Sequence, residues 1–228
     1  TILFLNSAFP VLEKDAALPS PVTLGPYARK PYTTSSLFNI SGMSYGALSK
    51  PAVLALSRGA KKAGCWLNTG EGGLSPYHLE GGCDLIFQIG TAKYGVRDME
   101  GNLSDSRLQE LAAIDAVKMF EIKLSQGAKP GKGGILPAEK VSEEIAAIRG
   151  IPVGHPSISP NGHTDIRSVD DLLDMIERVR TVTGKPVGFK AVIGETSWLI
   201  DLVKAIRSRG IEHAPDFITI DSADGGSG

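Results

Sequence analysis

The chain has 228 residues, of which 42% are apolar and 21% charged, with a net charge of −1. That length allows one large domain or two small ones, and the composition is that of an ordinary globular protein. The near-neutral balance argues against a general nucleic-acid or anionic-membrane surface, and no apolar run is long enough for a spanning helix.

The opening TILFLNSAFPVLEKD has no basic leader, so no signal peptide is expected. Only Cys65 and Cys83 occur, at no metal-ligand spacing, so neither a disulfide framework nor a zinc site is expected, and a reducing, cytoplasmic setting fits. Residues 1–35, with Pro10, Pro19, Pro21, Pro26 and Pro31, read as a loop-rich lead-in. The apolar run Leu37–Ile40 then predicts a buried strand ending in Ser41-Gly-Met-Ser44. A helix is predicted from Pro51 to Ala63. Short strands follow at Cys65–Gly70 and Asp84–Gly90. Leu108–Phe120 reads as helix and Glu121–Ser125 as a fourth strand. Helices are predicted over Ala138–Arg149 and over Val169–Val182, the latter entered through Asp165 or Ser168 as a cap. Pro186–Ile193 is a strand, Ser197–Arg209 a helix, and Asp216–Asp221 a sixth strand.

This alternation of apolar strands with helices is the pattern of a parallel α/β fold. Polar and glycine residues cluster just after the strands, where both a (β/α)8 TIM-type barrel and a doubly wound sheet build their sites. Gly42-Met-Ser-Tyr-Gly46 does not fit a dinucleotide fingerprint, which favours the barrel. A full barrel of this kind takes about 250 residues and eight strands. Residues 36–228 are therefore expected to form a partial barrel with about six of eight βα units, the last motif being Asp224-Gly-Gly-Ser-Gly228. An unfilled barrel edge also makes self-association an expectation.

Several polar residues stand out against bland alternatives. Gln88 and Lys190 are polar residues within or at the ends of apolar strands; for Lys190 strand-end snorkelling is the ordinary account, and aiming into a barrel mouth the functional one. Glu71 sits in the glycine loop Asn68-Thr-Gly-Glu-Gly-Gly73, where a solvated carboxylate is the usual case. The stretch QGAKPGKGGILPAEK, residues 126–140, could be a linker or an anion-holding loop. Its place between a strand and a helix of one alternating domain speaks against the linker.

The runs ISGMSYGALS, NTGEGG, IKLSQGAKPGKGGILPAEKV and DFITIDSADGGSG, in that order from about Phe38 to Gly228, resemble the FMN-binding central domain of glutamate synthases. The resemblance implies a flavin (β/α)8 oxidoreductase. Reduced FMN would pass a hydride to 2-iminoglutarate, formed from 2-oxoglutarate and ammonia, giving L-glutamate and so serving nitrogen assimilation. It implies Gly42, Met43, Ser44, Asn68, Gln88, Lys190 and Ser222 as flavin-binding positions. Glu71 and Lys123 fall at catalytic positions, and Gln126, Lys129 and Arg149 at positions that bind the oxo acid. The electron donor, ferredoxin or NAD(P)H-linked, and the ammonia source would lie on other domains or chains. An iron–sulfur cluster would take its cysteines from beyond Gly228. Ile135 stands where the family usually has glutamine, which allows an alternative, an FMN barrel acting on a different oxo acid or amine. An inactive truncated fragment is the third reading.

Overall fold

The computed structural model describes residues 7–15, 20–126 and 133–222. In chain order they form β1 (Val22–Leu24), β2 (Tyr32–Thr34), α1 (Lys50–Ala63), β3 (Leu67–Asn68), α2 (Pro76–Glu80), β4 (Leu85–Ile89), α3 (Asp105–Ala113) and β5 (Val117–Lys123). There follow β6 (Ile135–Leu136), α4 (Glu143–Arg149), β7 (Ser157–Ile158), α5 (Val169–Thr183), β8 (Val187–Val192), α6 (Ser197–Arg209) and β9 (Ile218–Asp221).

Five strands make one parallel sheet in the order β3-β4-β5-β8-β9, with helices in the connections. Ile40 adds a single parallel bridge to Leu67 beside β3. The result is an open half of a (β/α)8 barrel. Two small antiparallel ribbons, β1-β2 and β6-β7, lie outside this sheet.

The side-chain period of two divides the sheet into faces. Phe87 and Ile89 of β4, Val117, Phe120 and Ile122 of β5, and Val187, Phe189 and Ala191 of β8 point outward. There they pack with Leu108, Leu172, Leu173, Ile176, Val179 and Leu202 of the helices. The alternate positions, Gln88, Glu121, Lys123 and Lys190, share the inner face, and the register sets Gln88 beside Glu121 and Lys123 beside Lys190. Thr219 and Asp221 continue that row on β9, while Ile218 and Ile220 on its other face are 45% and 66% exposed.

Helix ends follow local chemistry. Ser168 Oγ accepts the Asp171 N–H at the start of α5, and Ser142 Oγ accepts the Ile145 N–H at the start of α4. Gly64, at φ 67°, closes α1 in the left-handed region.

Four sequence expectations change. The run Leu37–Ile40 yields one bridged residue, not a strand. The helix expected through Phe120 stops at Ala113, and β5 begins at Val117. Val117, Met119 and Phe120 are β-prone and wholly buried, so sheet pairing on both sides outweighs the local helical pattern. The helix expected from Ala138 starts at Glu143, because the Ser142 cap sets its first turn. The lead-in holds the β1-β2 ribbon, tied to the barrel where the Lys30 N–H donates to the Gly184 carbonyl and Tyr32 Oη to Asp84. Among the described residues no helix is long and apolar enough to cross a membrane.

Candidate active site

At the carboxyl ends of the sheet lies a cavity of about 740 Å³. That volume falls within the few hundred to about 1,000 Å³ usual for a cofactor or small-molecule site. Gly42, Met43, Ser44, Glu71, Gln88, Lys123, Gln126, Arg149 and Lys190 all line it. Residues far apart in the chain, Ser44, Gln88 and Lys190 among them, are thus brought to one place: Gln88 and Lys190 by β4 and β8 of the parallel sheet, and Ser44 by the loop after the Ile40 bridge to β3. Asn68 lies below the surface, 4% exposed. Asp221 lines the cavity, and Ser222 follows it at the end of β9 as an exposed residue. Lys129, most of the glycine loop around it and the closing turn of residues 224–228 lie outside the described residues.

The floor is built for close approach. Gly70 has φ 67°, and a Cβ there would stand 2.7 Å from the Ser44 backbone nitrogen. A Cβ on Gly42 would meet Gln88 Nε2 at 3.3 Å and fill part of the cavity. Met43 N–H donates to the Asn68 carbonyl at 3.0 Å, so the loop after Ile40 runs on as an extension of the sheet. His78 braces the loop from behind. It is fully buried, its Nδ1 accepts the Ser75 N–H, and its Nε2–H donates to the Met43 carbonyl at 2.8 Å. Burial holds its imidazole below the ordinary histidine range.

Two ion pairs face the cavity. Lys123 Nζ lies 3.0 Å from Glu71 Oε2 and donates to Gln126 Oε1 at 2.8 Å. Lys190 Nζ lies 3.3 Å from Asp221 Oδ1. His163 Nε2–H supports this wall by donating to the Lys123 carbonyl at 3.0 Å; its Nδ1 has no partner among the described residues.

Arg149 is different. It is 6% exposed, donates through Nη1 to Ser157 Oγ at 2.8 Å and through Nη2 to the Tyr45 carbonyl at 3.3 Å, and leaves Nε without a partner. The guanidinium lies 5.2 Å from the Tyr94 ring centroid. Among the described residues no carboxylate forms an ion pair with it, and burial pushes its pKa below the ordinary guanidinium range. A buried cation with spare N–H donors on a cavity wall is suited to an anion. Its helix is fastened by Glu144, whose two carboxylate oxygens accept Tyr45 and Tyr77 hydroxyls, each at 2.6 Å.

Sequence reasoning missed Glu121, which touches both Asn68 and Gln88. The available signal was the charge inside Met119-Phe-Glu-Ile122; starting the strand at Glu121 and not at Val117 made it a strand-end residue and concealed its inward direction. It also missed His78 and Tyr45, for which the sequence carries no signal beyond a serine three residues before the histidine.

A family model described as a conserved region in glutamate synthase matches residues 15–228. The glutamate synthase large subunit-like protein YerD of Bacillus subtilis is 46% identical over 200 residues, 87% of this chain and 38% of that one. An archaeal-type glutamate synthase [NADPH] of Thermotoga maritima is 37% identical over 82% of this chain and 34% of its own length. A glutamate synthase large subunit-like protein of Rhizobium meliloti is 32% identical over 99% of this chain and 48% of that one. Among solved structures, a mandelate oxidase covers 91% of this chain and 55% of its own at 16% identity and a TM-score of 0.45. The chain thus spans a third to a half of the curated relatives it matches, and on the family match it belongs to the glutamate synthase family.

Proposed function

We propose that this domain carries the reductive step of a glutamate synthase, in which 2-iminoglutarate, formed from 2-oxoglutarate and ammonia, becomes L-glutamate. The observation that carries the reading is Arg149, a buried guanidinium with unused donors on the wall of the cavity that also holds Gln88, Lys190 and the Glu71–Lys123 pair.

The residues present fit a flavin. Glycines at 42 and 70 keep the floor low, an amide from Gln88 and a cation from Lys190 reach it, and the volume suffices. Gly42, Met43, Ser44, Asn68, Gln88, Lys190 and Ser222 would hold FMN, which when bound supplies the hydride. Arg149, with Gln126 and Lys129, binds the carboxylates of the oxo acid. Glu71 Oε2 is engaged by Lys123, while among the described residues Oε1 has only a long 3.4 Å contact from Ser159 Oγ, so Oε1 is the atom placed to take a proton from ammonium. Lys123 holds that carboxylate in place beside the cavity. The electron donor, ferredoxin or NAD(P)H-linked, and the ammonia source belong to other domains or chains. So do the cysteines of any iron–sulfur cluster.

Ile135 favours a second reading. It lines the cavity and is 59% exposed, offering an apolar wall to a different oxo acid or amine. Titrating the FMN-loaded protein with 2-oxoglutarate and with 2-oxo acids of apolar side chain, followed by flavin absorbance, decides between them. Tighter binding of 2-oxoglutarate supports the synthase reading; a preference for the apolar acids replaces it. No flavin uptake at all refutes both.

A further inference from the structure

The inner face of the sheet carries one carboxylate that does not itself line the cavity. Glu121, on β5, is 2% exposed. Its Oε1 accepts Asn68 Nδ2 at 2.8 Å and Gln88 Nε2 at 2.7 Å, and its Oε2 accepts Thr219 Oγ1 at 2.5 Å. Donors from β3, β4 and β9 therefore converge on one side chain. The lysines of the same face are engaged elsewhere, Lys123 with Glu71 and Lys190 with Asp221.

A carboxylate accepts hydrogen bonds and does not donate them. Both amide NH2 groups must therefore turn toward Glu121, and both amide oxygens away from it. Asn68 Oδ1 is then taken by the Gly70 N–H at 2.9 Å, which fixes the glycine turn beneath Ser44. Gln88, which lines the cavity, keeps its amide oxygen and the second N–H of Nε2 for other partners. An Asn or Gln amide free to flip would present donor and acceptor interchangeably. Here the orientation is set from below.

We propose that Glu121 is a positioning residue of the flavin site: it fixes which way the amides of Asn68 and Gln88 face, and it sets a negative charge one side chain below that floor. This rests on the flavin reading above. The charge opposes the gain of electrons by a group bound over it, because like charge at short range through a water-poor medium is unfavourable. Glu121 thus both orders the site and holds the potential of a bound flavin down.

The test uses the full-length protein reconstituted with FMN and compares Glu121→Gln, Glu121→Asp and Thr219→Val. In Glu121→Gln the amide oxygen can keep both Asn68 and Gln88 while the NH2 faces the Thr219 hydroxyl, which then accepts, so the charge is lost with the floor amides left in place. FMN affinity should change by less than about threefold, and the midpoint potential of the bound flavin should rise. Glu121→Asp keeps the charge but is shorter by one methylene, so FMN should weaken while the potential stays near the parent's. Thr219→Val removes a donor away from the cavity and should change FMN affinity by less than about threefold. An unchanged potential in Glu121→Gln, or a Thr219→Val variant that weakens FMN as far as Glu121→Asp does, overturns the assignment. If Glu121→Gln does not fold, Glu121→Asp decides alone, and parental FMN affinity in it overturns the assignment. Failure of the parent to take up FMN overturns the flavin reading itself, a separate outcome.

Discussion

Replacing Arg149 by methionine separates binding from stability. The guanidinium is 6% exposed and lacks a carboxylate partner among the described residues. Folding therefore strips it of water with only two neutral hydrogen bonds and a ring face in return. Those hydrogen bonds contribute about 1 kcal/mol each, and the contact with Tyr94 about 0.5–2 kcal/mol. Relief of the buried charge offsets a sum of that size, since apolar replacement of buried charged groups is often neutral or stabilising by about 1–4 kcal/mol. The net change in stability should lie within about 2 kcal/mol, which for this length is a Tm shift of less than about 8 °C. Binding behaves otherwise. Loss of a charge-assisted contact to a carboxylate costs about 1.5–3 kcal/mol, or roughly ten- to a hundredfold in Kd. Thermal melts without ligand and a 2-oxoglutarate titration of the FMN-loaded protein give both numbers. A Tm that falls well beyond that limit while oxo acid affinity holds would refute the reasoning and make Arg149 a structural residue.

Other outcomes follow from the same geometry. His78 and His163 are buried, and burial holds both imidazoles below the ordinary histidine range. As pH falls, the unfolded chain takes up protons first, so stability is full above about pH 6.5 and declines below it; a Tm that does not change between about pH 7.5 and 5.5 would contradict this. Gly70→Ala forces a methyl to 2.7 Å from the Ser44 nitrogen at φ 67°. It should weaken FMN at least about tenfold, and a variant with parental flavin affinity would show that the loop tolerates the shift. Ile218 and Ile220 leave an apolar stripe on the edge strand β9. If these 228 residues are made alone, light scattering should show association that Ile220→Lys reduces; a concentration-independent monomer would count against the exposed edge.

The parallel sheet was legible because its strands are apolar runs between helical patterns, as strands covered on both faces must be. Gln88 and Lys190 were legible for the converse reason, a polar residue inside such a run. Three features were not. Residues 117–120 read as helix, since a buried strand of mixed polarity and a helix end share the same local pattern, and only pairing with Leu85–Ile89 and Val187–Lys190 decides it. Glu121 was lost with that boundary. The links from Arg149 to the Tyr45 carbonyl and from Glu144 to two tyrosines join positions about a hundred residues apart, a proximity that periodicity does not encode.

The sheet is assembled wholly from neighbours that are distant along the chain. Thr219 reaches Glu121 across 98 residues, and Ser125 meets the Val192 N–H across 67. No local segment, folded by itself, contains the cavity. Chain closure over such separations has to come before the contacts that reward it, so a fold of this kind forms slowly compared with one built of local contacts. A ligand that needs Ser44, Gln88 and Lys190 together recognises the native state and nothing earlier. Its binding then stabilises the finished fold by RT ln(1 + [L]/Kd), so the supply of any such ligand would help set how much folded protein accumulates.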